Sequence, residues 1–177
     1  MMRALLAFAR AIDALNERVG RAVYWLVLVA VVISTVNALM RYAFDVGSNA
    51  WLEIQWYLFS AIFLLGGGYT LKANGHVRID VLAGRLSERA QAWIDIVGGL
   101  LFLLPMALII LYFSWPMFVQ SYMSGEMSGD AGGLLRWPVK ALIPAGFALL
   151  VLQALSEVVK RAAFLRGALP GKSADGR

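Results

Sequence analysis

Four stretches without a charged residue organise this chain: Ala22–Met40, Ile54–Leu71, Ile96–Gly125 and Ala141–Ser156. A helix rises about 1.5 Å per residue and the hydrocarbon core of a bilayer is about 30 Å thick, so the first two stretches fit one crossing each. The third is too long for a straight perpendicular crossing and predicts tilt, or an exit near Trp115 and Pro116. The fourth is short until Val139 and a snorkelling Lys140 extend it. The pattern predicts an all-α integral membrane protein with four transmembrane helices in tilted packing, at about 22–40, 52–71, 94–117 and 138–158.

The flanks carry a different period. Leu5, Phe8, Ile12, Leu15 and Val19 recur at helical spacing, with Arg10, Asp13, Glu17 and Arg18 between them. This predicts an amphipathic helix over about 3–20, lying on the membrane surface. Ile79–Gln91 repeats the pattern more briefly. The segment 120–133, rich in Gly, Ser and Met, reads as a turn. Residues 1–165 form one domain, and 166–177 are expected to be a flexible polar tail.

Composition agrees with the membrane reading. Hydrophobic residues make up 60% of the 177 and charged residues 15%, against roughly a quarter in soluble domains. Arg3, Arg10, Arg18 and Arg21 precede the first span. Lys72, Arg78, Arg85 and Arg89 lie between the second and third, and Lys160, Arg161, Arg166, Lys172 and Arg177 follow the fourth. These share one side of the membrane, whereas Arg41, Arg136 and Lys140 fall on the other. Basic residues collect in cytoplasmic loops, so both termini are expected to be cytoplasmic. The net charge of +5 is explained by this distribution, and no nucleic-acid partner is expected.

Candidate chemistry is sparse. The sequence has no cysteine and a single histidine, His76, which removes thiol chemistry and paired axial histidines. Gly66-Gly67-Gly68 has no preceding strand and no following Lys-Ser or Lys-Thr, so it is no phosphate loop. Glu53, an acid beside a span, is a functional candidate by default. The blander reading is an interfacial carboxylate paired with a base on its side, Arg41, Arg136 or Lys140; pairing with Lys140 or Arg136 would tie the second and fourth helices together. Asn37, Tyr57, Ser60, Gly67, Gly146 and Gln153 lie on polar or small stripes that suit helix packing or a subunit interface. Trp51, Trp93, Trp115 and Trp137 fall near the expected interfaces and, with Lys72 and Arg78, are candidate lipid or interface anchors. No catalytic, metal or cofactor site is expected.

Several segments together resemble the small membrane subunit of tripartite ATP-independent periplasmic (TRAP) transporters. They are Trp51-Leu52-Glu53 opening the second span, Gly75-His76-Val77-Arg78-Ile79-Asp80 after it, Arg136-Trp137-Pro138-Val139-Lys140-Ala141-Leu142-Ile143-Pro144 entering the fourth, and Leu152-Gln153 within it. The resemblance covers roughly residues 15–165. It implies a non-catalytic subunit of the bacterial inner membrane that braces a large transport subunit. That partner imports organic anions, usually carboxylates, by sodium symport, with a periplasmic substrate-binding protein delivering the substrate and phospholipids surrounding the complex. The competing readings are a self-sufficient small homo-oligomeric transporter or channel using Glu53, and a lipid-directed enzyme.

Overall fold

The computed structural model describes residues 2–75 and 86–169. Helix α1 runs over Met2–Phe44, α2 over Asn49–Lys72, α3 over Glu88–Gly98, α4 over Leu104–Ser124 and α5 over Trp137–Leu165. A π-helical turn at Gly99–Leu103 joins α3 to α4 without a break, so the third span is a single rod of 37 residues. Pro105 has no N–H to offer the preceding turn, and just before it the amide of Leu104 reaches back five residues to the Gly99 carbonyl. Among the described residues, four helices are therefore long and apolar enough to cross a membrane.

Two boundaries differ from expectation. The helix of the third span does not stop at Trp115 and Pro116; Pro116 sits inside α4, which continues to Ser124 and stops at Gly125 in the left-handed region, φ +60°. The surface helix expected over 3–20 is not separate either, because it is the first half of α1, continuous with the first span over 43 residues. Gly20, the natural place for a break, is buried, and a Cβ there would lie 2.5 Å from the Tyr69 ring. One face of this half packs on protein: Ala9, Ile12, Asn16, Gly20 and Val23 are buried in a three-and-four rhythm, the spacing of one helical face, with Asp13 and Glu17 half-buried at its edge. The second amphipathic candidate, 79–91, lies mostly outside the described residues.

Helix α5 is the hub. It packs against α1, α2, α3 and α4, while the third span attaches to the molecule chiefly through α5. Close approach has an identifiable cause at Gly146, where a Cβ would stand 2.5 Å from the Leu64 carbonyl oxygen of α2. Past Val23, α1 is largely bare, with Trp25 70% and Phe44 68% exposed. The third span is equally bare at Phe102, Tyr112 and Phe113. Such long apolar faces belong in lipid or against another membrane helix.

Candidate functional site

The polar side chains that link one helix to another, or to the segment between α4 and α5, gather into two layers, one at each end of the helices. On α2 the layers are marked by Glu53 and Lys72, and on α5 by Lys140 and Lys160. Nineteen and twenty residues of helix correspond to about 28–30 Å, the thickness of the hydrocarbon core. The charges thus bracket one bilayer.

At the loop end, α2 presents Asn49, Glu53 and Tyr57 one turn apart. Each holds the backbone of the segment between α4 and α5. Asn49 Nδ2 donates to the Ala131 carbonyl at 3.1 Å, Glu53 Oε2 accepts the Leu134 N–H at 2.7 Å, and Tyr57 Oη donates to the Leu135 carbonyl at 2.9 Å. The segment is a short hairpin, closed by an antiparallel bridge between Met127 and Leu135. Its bonds are Ser128 N–H to the Leu134 carbonyl and Arg136 N–H to the Glu126 carbonyl, both 2.9 Å. Glu126 takes the cations: Lys140 Nζ bonds its carboxylate and Arg136 Nη1 lies 3.9 Å away. The Lys140 hydrogen bond, above all, holds the Glu126 carboxyl below its ordinary range.

The expected bridge from Glu53 to Lys140 or Arg136 is therefore not formed. Glu126, just beyond the third uncharged stretch, stands nearer to both cations, and Glu53 instead satisfies a backbone donor that would otherwise lack a partner.

At the opposite end, Gln153 is fully buried and joins α5 to α1. Its Oε1 accepts from Asn16 Nδ2 at 2.9 Å, and its Nε2 donates to Asp13 Oδ1 at 2.8 Å and Glu157 Oε1 at 3.0 Å. Ser156 Oγ donates to the same Asp13 oxygen at 2.8 Å, and Lys160 Nζ lies 3.0 Å from Asp13 Oδ2. Lys72 bonds Glu17 at 2.6 Å, fastening α2 to α1, and Arg161 bonds Asp95 at 3.0 Å, fastening α5 to α3. Gly68 leaves room for Asn16, whose Oδ1 would collide with any Cβ there.

The remaining candidates divide by environment. Ser60 bonds the Trp56 carbonyl of its own helix at 2.8 Å, and Asn37 is half-buried on α1 outside both layers. A Cβ at Gly67 would meet nothing within 4 Å, so any close packing there is not within this chain. Trp51, Trp93 and Trp115 are exposed, whereas Trp137 meets Tyr122 edge to face at 5.4 Å. Lys72 is occupied by Glu17 rather than free for a headgroup, and Arg78 lies outside the described residues. Sequence reasoning does not single out Asp13, Asn16, Glu126 or Asn49 as site residues. A four-residue period links Asn49 to Glu53 and Tyr57, but their carbonyl and amide partners leave no trace in side-chain pattern.

The sequence of these four helices has a counterpart among known families. The family model of the DctQ component of tripartite ATP-independent periplasmic transporters matches residues 30–164. The chain belongs to that family. No curated protein and no solved structure matches it. The matched region takes in α1 from Ala30 onward and α2 to α5 as far as Phe164, including the whole loop-end layer. As a DctQ component, the chain is a small multi-pass permease component of a transporter completed by a large membrane subunit and a substrate-binding protein.

Proposed function

We propose that this DctQ component acts as a rigid brace for the large membrane subunit, in the bacterial inner membrane, during sodium-coupled import of organic anions, carboxylates above all. The observation that carries this reading is the use of the polar groups. Asn49, Glu53, Tyr57, Glu126 and Lys140 at one end, and Asp13, Asn16, Gln153 and Lys160 at the other, bond to each other and to backbone within the chain. Helices fastened at both rims hold their shape while a neighbour moves. The apolar outer faces of α1 and the third span remain for that neighbour and for phospholipids. The basic flanks favour a cytoplasmic position for the start of α1 and the end of α5.

An autonomous transporter centred on Glu53 draws less support, because that carboxylate is committed to the Leu134 N–H. Proteoliposomes under an inward sodium gradient test the two readings. Uptake of an organic acid is expected only when the large subunit and binding protein are both present with this chain. Uptake by the chain alone, abolished by Glu53→Gln, would overturn the brace.

A further inference from the structure

The start of the third span carries a feature outside the two polar layers. Trp93, Ile94, Val97, Gly98 and Phe102 line an open, almost wholly apolar groove of about 320 Å³ on the outer surface of α3 and the π turn. Its floor is open because Gly98 has no side chain, and a Cβ there would meet nothing within 4 Å. Arg89 precedes Trp93 by four residues, placing it on the same helix face. It is exposed.

Depth fits a lipid. Asp95 bonds Arg161 in the charged layer at this end, so Arg89, six residues earlier, lies about 9 Å farther out, at headgroup level. Trp93 stands at the boundary, where indole rings concentrate. From Trp93 to Phe102 the helix descends about 13 Å, close to the roughly 15 Å of one leaflet's hydrocarbon.

We infer that this groove is a binding site for one anionic phospholipid, its phosphate held by Arg89 and an acyl chain lying along Trp93, Val97 and Phe102 over Gly98. A guanidinium complements a phosphate in charge and geometry, which selects a lipid over an uncharged helix as the occupant. The inference rests on the membrane placement above but not on bracing. Its readout is lipid retention by the isolated chain, so it can fail while transport results stand, and the reverse.

The test is native mass spectrometry of the full chain released from nanodiscs of phosphatidylglycerol and phosphatidylcholine. Wild type is expected to retain phosphatidylglycerol preferentially. Arg89→Gln should lower that retention about five-fold, the effect of one near-surface cation, and leave phosphatidylcholine unchanged. Gly98→Leu should lower retention of both by filling the groove. Both positions face outward, so the fold should persist, which circular dichroism checks. Equal retention by wild type and Arg89→Gln would overturn the site. So would unchanged lipid retention by Gly98→Leu combined with lost recovery of the large subunit, which would give the groove to a partner helix.

Discussion

Glu53 and Leu134 are joined across 81 positions of sequence by a 2.7 Å bond from the Leu134 amide to the carboxylate. The bond makes α2 the support for the hairpin between α4 and α5. Glu53→Ala should therefore accelerate hydrogen exchange at Leu134 and its hairpin neighbours, with helix content unchanged. Glu53→Gln keeps an acceptor oxygen and should give a smaller increase. Exchange at Leu134 that is identical in wild type and Glu53→Ala would remove this role.

The hairpin should also respond to acid. Lys140 keeps the Glu126 carboxyl below the ordinary carboxylate range in the folded chain. A depressed folded value means the unfolded state takes up the proton first. The contribution of Glu126 is thus complete above the usual carboxylate pKa and is lost as pH falls through the lower folded value. Tryptophan fluorescence and exchange in the hairpin, followed from pH 7 downward, should show loosening at about pH 4 and below. Glu126→Gln should flatten that dependence, and an unchanged acid response in this variant would assign it elsewhere.

The four crossings are legible from uncharged stretches alone, because apolar length against bilayer thickness is a one-dimensional property. The fate of the amphipathic start is not. Asp13, Asn16 and Glu17 give the same periodicity whether their face meets headgroups or meets Gln153, Lys160 and Lys72, and only the three-dimensional fold decides. Lys72 misleads for the same reason: a flanking cation looks alike when it snorkels and when it bonds Glu17. Glu53 stands out in the sequence, but charge invites a search for a countercharge, while the carboxylate is hydrogen-bonded by a backbone N–H and the Ser128 side chain.

Asn16 and Gln153 offer a direct measure of how firmly α1 is held. Both residues are 0% exposed and their side chains meet at 2.9 Å. Hydrogen bonds between membrane helices are worth about 0.6 kcal/mol on average and up to about 1.7. A double-mutant cycle with Asn16→Leu and Gln153→Leu, read by unfolding in detergent, should give a coupling energy in that range. Each single variant leaves a buried polar group without its partner and should be worse than additivity predicts from the double. A coupling of zero would mean the two amides contribute independently.

Gly67 and Gly146 look equivalent as small residues on helix faces, and their surroundings separate them. A methyl group at 146 would press on the Leu64 carbonyl, part of a backbone that cannot swing aside, whereas one at 67 enters open space. Gly146→Ala should destabilise the isolated chain by about 1–3 kcal/mol through overpacking. Gly67→Ala should be neutral or stabilising by up to about 1 kcal/mol, because alanine favours the helix. Any cost at 67 must then come from outside the chain. Gly67→Leu should leave the isolated subunit folded, and reduced co-purification with the large subunit would locate the partner on this part of α2. Full recovery of the complex would instead turn that face of α2 to lipid.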